Sequence, residues 1–279
     1  MNNLHELLTF WLENYKRRFV TEATYLRDCR TVKLIEKNTD DTEIQLFDDV
    51  QVNALISRLL DKGYSKSTLK KIKIVLNGAY KIAVKKGFTP INPCTETVIP
   101  VSAPVKEVYA LSHEEQKQVE NACKSCALGH IIIFLLKTGL RRAELMGLKW
   151  SDFDEDEKCI FVRKSKTKTG VRCIPLIEES MTIILKQPRI NEYIFNNTKN
   201  TPLTDMSIRR LYERIQSLTN VFNFTPHVCR HTFATRLIER GANPKSVADL
   251  LGHKDVAFTL RIYTTIDYSH LQKEIMLLE

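Results

Sequence analysis

No stretch of the 279 residues approaches the ~20 consecutive apolar positions a membrane-spanning helix needs. Met1 to Phe10 has no basic segment ahead of an apolar one, so no secretory leader is read there and a cytoplasmic location is expected. The seven cysteines (29, 94, 123, 126, 159, 173 and 229) are odd in number and scattered, which fits reduced thiols and not a disulfide framework. Cys123 and Cys126 make a lone CxxC with no second ligand pair at zinc spacing, so no metal is expected. Internal repeats and low-complexity tracts are also missing, which removes solenoids and disordered tails from consideration. What is plentiful is basic charge. Against 33 acidic residues stand 42 Lys plus Arg, a net charge of +9 that suggests a polyanionic partner.

The chain is long enough for two domains. Leu4, Leu7, Leu8, Trp11, Leu12 and Tyr15 recur at helical spacing behind Asn3, with Glu6 three residues on as in a capping box. Three further helices are predicted over Thr21 to Lys37, Val50 to Asp61 and Ser67 to Lys86, the last two closed by Gly63 and Gly87. Residues 1–89 thus read as a helical domain without strands. Four of the nine prolines fall between Pro90 and Pro104, predicting an extended linker over 90–104. Beyond it the pattern is helical again: Ser112 with Glu115 makes a second capping box, and Ile131 to Leu136 is a fully apolar helical run. Cys159 to Arg163 and Val171 to Ile174 then read as two strands around a Lys-rich turn, with a third strand near Gly147 to Trp150. The fold class expected is mainly α, with a small antiparallel three-stranded sheet inside the second domain (105–266) and a tail helix over 267–279.

Three groups of residues could carry chemistry. Arg141 and Glu144 are three apart, hence on one helical face, where the carboxylate would orient the guanidinium; a plain surface ion pair has the same spacing. His227 and Arg230 stand at i and i+3 in the first turn of a helix opened by Thr225-Pro226, an arrangement suited to an anion such as phosphate. His227 and His231 also have the i, i+4 spacing of a zinc pair, but the Glu of HExxH is missing and Arg230 would repel the metal. Finally, Lys166 lies in the predicted hairpin, and His253 is followed ten residues later by Tyr263; each alone reads as an ordinary surface or core residue.

In order, TGLRRAEL (138–145), KTKTGVRCIPL (166–176), TPHVCRHTFAT (225–235) and LLGHKDVAFTLRIY (250–263) resemble the motifs of the tyrosine site-specific recombinases, the phage integrase family. The first 104 residues are similar, more loosely, to that family's helical core-binding domain. The resemblance implies that Arg141 and Arg230 are the two family arginines, with Glu144 supporting the first. It implies that Lys166 is the hairpin lysine (Lys168 if the turn is shifted), His227 the histidine of the HxxR box, His253 the second histidine and Tyr263 the nucleophile. A phenol attacking a phosphodiester gathers charge on the non-bridging oxygens, which two guanidiniums would stabilise; His227 would take a proton and Lys166 give one. Because one phosphate ester is exchanged for another, neither metal, cofactor nor ATP is needed.

The expected activity is site-specific cutting and rejoining of DNA through a 3'-phosphotyrosyl intermediate, for integration and excision of a mobile element. The expected partners are double-stranded DNA at a core site, held largely through phosphates, and a homo-tetramer on synapsed DNA, with an accessory factor as a further candidate and no membrane. Its place is then the cytoplasm, at the nucleoid. A helix starting at residue 4 leaves no module for accessory arm sites, which keeps a resolvase or invertase of the same chemistry open. A type IB topoisomerase-like relaxer and a non-catalytic DNA-binding protein on the same fold stand as alternatives, and a metal-dependent nuclease ranks last for want of a carboxylate cluster. The tail helix is expected to pack on a neighbouring protomer or on its own domain.

Overall fold

The computed structural model describes residues 2–105, 108–163 and 171–252. The chain divides into two compact units, Met1–Glu107 and Val108–Glu279. Lys166, Lys168, His253, Tyr263 and the tail 267–279 lie outside the described residues.

Unit 1 is four helices: α1 (Leu4–Tyr15), α2 (Glu22–Glu36), α3 (Asp49–Asp61) and α4 (Lys66–Lys85). The leucine stripe of α1 is buried from Leu4 through Leu12 and packs with Ile56, Leu59, Leu69, Leu76 and Tyr80 from α3 and α4. The α1 start differs from the predicted capping box. Glu6 accepts from the backbone N–H of Asn2, and the Asn3 amide is turned to Asp41, so the chain entering the helix is tied to the loop after α2. The proline-rich stretch 90–104 lies within this unit. Cys94, Thr97 and Ala103 are buried, Lys73 donates to the Thr97 carbonyl, and the Lys66 N–H bonds the Pro104 carbonyl at 2.8 Å.

Unit 2 contains α5 (His113–Lys124), α6 (Gly129–Thr138), the single turn α7 (Arg142–Met146), strands β1 (Phe153–Asp154), β2 (Cys159–Val162) and β3 (Arg172–Pro175), then α8 (Glu178–Leu185), α9 (Asp205–Leu218), α10 (Pro226–Glu239) and α11 (Pro244–Leu251). The capping box at Ser112 and Glu115 forms, with N–H to side-chain bonds of 2.7 and 3.1 Å. The sheet is antiparallel in the order β1-β2-β3, with Ile160 facing Ile174. Its first strand is not where the sequence placed it. Lys149 is extended and makes an isolated antiparallel bridge to Tyr193, with Trp150 N–H to Glu192 O and Ile194 N–H to Leu148 O at 3.0 Å each, and the sheet edge is Phe153–Asp154. The Asp152 carboxylate draws in the Lys149 N–H (3.1 Å) and winds Trp150–Asp152 into a 3-10 turn between the two segments.

Helix α6, apolar from Ile131 to Leu136, lies in this unit's core, with Ile131, Ile132, Phe134 and Leu135 fully buried. Helix α10 packs on α6. Its Thr232 hydroxyl accepts the Leu111 N–H (2.9 Å), and Arg236 donates to the Leu111 carbonyl (2.6 Å), fastening α10 to the strand-like entry into α5. Helix α6 stops at Gly139, whose φ of 62° is left-handed backbone that L side chains rarely adopt.

Candidate active site

The reversal at Gly139 determines where Arg141 stands. Two residues after Gly139, Arg141 is the N-cap of α7, and Glu144 on the first turn of that helix reaches back to it. The carboxylate takes the Arg141 N–H at 2.9 Å and its guanidinium at 2.7 Å. The predicted i, i+3 pair is therefore made, and it is not a plain surface pair: the Glu144 side chain is 5% exposed while Arg141 is 33% exposed. A buried carboxylate would ordinarily be pushed towards its neutral form, but here the arginines outweigh burial and Glu144 has a lowered pKa.

Arg230 comes from the first turns of α10, which opens with Thr225 as N-cap and Pro226 in the first turn, as the sequence indicated. It is only 4% exposed. Its guanidinium donates to the Gly139 carbonyl at 2.8 Å and also to the Leu251 carbonyl. His227, one turn earlier on α10, is exposed. Partial burial of its ring, then the positive charges of Arg230, Arg142 and Arg141, lower its pKa below the usual histidine value, so the imidazole is neutral at neutral pH. His231 is pushed down further, to about 4, mainly by burial. Among the described residues no group of three or more metal-ligating side chains is assembled.

A residue that the sequence reading passed over belongs to this constellation. Arg172, at the start of β3, lays both terminal nitrogens against the two Glu144 oxygens at 3.2 and 2.9 Å, and its Nε donates to the Leu250 carbonyl at 2.6 Å. Arg141 in turn donates to the Gly252 carbonyl at 2.9 Å. Three arginines from three different elements thus hold three successive carbonyls, Leu250, Leu251 and Gly252, at the C-terminal end of α11. These are carbonyls that a helix end leaves without intrahelical partners, at the negative pole of its dipole. The next residue in the chain is His253. Of the candidates named from sequence, the structure brings together Arg141, Glu144, His227 and Arg230.

Among the described residues the unit is mostly helical with one three-stranded antiparallel sheet, and its arginines gather at the end of one helix. The model of the phage integrase family matches residues 105–270, more than half of the chain, and the chain belongs to that family. It is a tyrosine recombinase, an enzyme that cuts and rejoins DNA strands in site-specific recombination. A curated relative, the tyrosine recombinase XerC-like protein of Caldanaerobacter subterraneus subsp. tengcongensis, is 28% identical over 94% of this chain and 79% of its own. Among solved structures, the Tn1549 transposon integrase in complex with a circular intermediate DNA superposes with a TM-score of 0.81, covering all of both chains at 22% identity. The lambda integrase tetramer bound to a Holliday junction gives 0.77, covering 95% of this chain and 79% of that one at 23% identity. At these identities the superpositions establish the fold. No helix among the described residues is long and apolar enough to cross a membrane.

Proposed function

We propose that this recombinase integrates and excises a mobile DNA element, cutting each strand at a core site through a 3'-phosphotyrosyl intermediate. The observation that carries the chemistry is the convergence of Arg141 and Arg230 on the end of α11, with Arg141 braced by Glu144 and still one-third exposed. Two guanidiniums so placed would clamp the non-bridging oxygens of the scissile phosphate as charge builds on them. The Tyr263 oxygen attacks phosphorus, the bond to the 5' oxygen breaks, His227 takes the phenol proton and Lys166 gives one to the leaving 5' hydroxyl; His253 donates a hydrogen bond to the phosphate. Rejoining is the reverse, so neither metal nor ATP enters the balance.

The fold shared with a transposon integrase supports the mobile-element role, and that with an integrase tetramer on a Holliday junction supports action as a homo-tetramer on synapsed DNA. In unit 1, the exposed Lys70 and Lys71 of the basic helix α4 favour a grip on the DNA backbone of the core site. The test is covalent capture. Wild type and Tyr263→Phe are incubated with sheared host DNA, denatured with detergent and EDTA, and the protein-linked DNA is sequenced. Adducts at one defined sequence are expected from wild type alone; wild type leaving specifically bound DNA unattached, or adducts with Tyr263→Phe, would overturn the proposal.

The lowered pKa of His227 sets the acid side of the pH profile. A histidine with a depressed pKa stays neutral, and able to accept a proton, to pH values below the ordinary 6.5, and loses that capacity as pH falls through the depressed value. With DNA below saturation, so that the free enzyme is reported, the acid limb of the cleavage rate is expected below pH 6.5. His227→Gln should remove that limb. A limb centred at or above 6.5 in wild type would exclude His227 as the base.

A further inference from the structure

Glu144 is not a private partner of Arg141. Its carboxylate receives four bonds, two from Arg141 and two from Arg172, and the Arg172 pair is a parallel fork in which both side chains are nearly sealed from solvent, 6% and 5% exposed. The third known contact of Arg172 is to the Leu250 carbonyl of α11. Arg172 therefore spans both supports of the site: the carboxylate that orients Arg141, and the helix end that Arg141 and Arg230 also grip. What sets Arg172 apart from the two proposed clamp arginines is its set of contacts: both terminal nitrogens lie on the Glu144 carboxylate and Nε on a main-chain carbonyl, the contacts of a support.

We infer that Arg172 is a positioning residue for strand cleavage, holding the Arg141 guanidinium through Glu144 and the C-terminal end of α11 through Leu250, without itself touching the DNA. The reasoning is geometric. The Arg141 guanidinium itself meets only one Glu144 oxygen, the other being taken by the Arg141 backbone N–H, whereas the planar fork of Arg172 holds both oxygens at once and resists rotation of the carboxylate. The largest single influence that keeps Glu144 ionised against its burial is likewise the bond from Arg172. Remove that grip and the carboxylate loses its strongest hold, Arg141 loses a fixed partner, and the carbonyl of Leu250 loses the donor at 2.6 Å.

The inference rests on the proposed arginine clamp, and the experiment separates the two. A duplex carrying the captured site, nicked so that cleavage is irreversible, is used to measure affinity and single-turnover adduct formation for the full chain. The variants are Arg172→Ala, Arg172→Lys, Glu144→Gln and the double variant Arg172→Ala/Glu144→Gln. Arg172→Ala is expected to cleave about 100-fold more slowly with DNA affinity within about threefold of wild type, the size of loss seen when a supporting partner of a functional residue is removed. The double variant should be no slower than the slower single one, because both act through the same carboxylate. Arg172→Lys, which keeps the charge but not the fork, should restore part of the rate, and it carries the test if the alanine variant fails to fold. Arg172→Lys at the wild-type rate, losses that multiply in the double variant, or affinity lost in step with rate would overturn the inference while leaving the clamp standing. A wild type that forms no adduct on bound DNA would overturn the clamp, and this inference with it.

Discussion

Replacing Arg230 by lysine is expected to slow phosphotyrosyl formation by about 100-fold or more, and replacing it by alanine by about 1,000-fold, the range found when a preorganised donor to a developing oxyanion is removed. Lysine keeps the positive charge but cannot reproduce a planar group that donates to Gly139 and Leu251 at once. The alanine variant should also lose stability, by about 2–4 kcal/mol, since two carbonyls enclosed beside a 4%-exposed side chain would be left without donors. Single-turnover cleavage and thermal melting of the same preparations separate the two effects. If Arg230→Lys cleaves within threefold of wild type, Arg230 serves the fold of α10 and α11 and not the reaction.

The second large effect is on folding. Gly139→Ala should destabilise unit 2 by about 3 kcal/mol, combining about 1–2 kcal/mol for an L residue in left-handed backbone with the cost of overpacking, about 1–3 kcal/mol. The added Cβ would run into the Phe233 ring of α10 and approach Leu251 of α11 to 2.9 Å, and neither is the free end of a surface side chain. A fall in Tm of roughly 5–10 °C is expected for a unit of this size. The Gly139 carbonyl is one of the Arg230 anchors, so cleavage should suffer even at temperatures where the variant is folded. Melting unchanged within 1 °C would mean that the α6–α7 turn is looser than its contacts imply.

Much of this site could be read from the residues because its chemistry is local in the chain. Arg141 with Glu144, and His227 with Arg230, are pairs three residues apart, and helical spacing alone predicts that each pair shares a face. The helices of unit 1 were equally legible, their boundaries falling within a residue or two of those observed, because each carries a sustained apolar stripe. Helix α8 was not. It begins after Pro175 with Ile177 as an N-cap that offers no side-chain bond, so the usual opening signal is missing.

Arg172 escaped notice for a different reason. Its partners are 28 and 78 residues away in the chain, and no spacing rule reaches that far. One clue was present. In a strand, residues two apart share a face, and Arg172 shares its face with the buried Ile174 while Cys173 between them is exposed. A charged residue on the core side of a strand requires a buried counter-charge, and that requirement could have been followed to Glu144.

The grip of three arginines on the end of α11 also bears on what happens before DNA arrives. Three cations drawn into one small volume repel each other, and the single charge of Glu144 does not balance them. The last carbonyls of α11 present a partial negative charge, about −0.5 at a helix C-terminus, in the middle of the group. Helix α11 therefore acts as a resident counter-ion. It keeps the guanidiniums gathered without any bound anion, so the proposed clamp is assembled in advance and a phosphate entering it would have no reorganisation to drive.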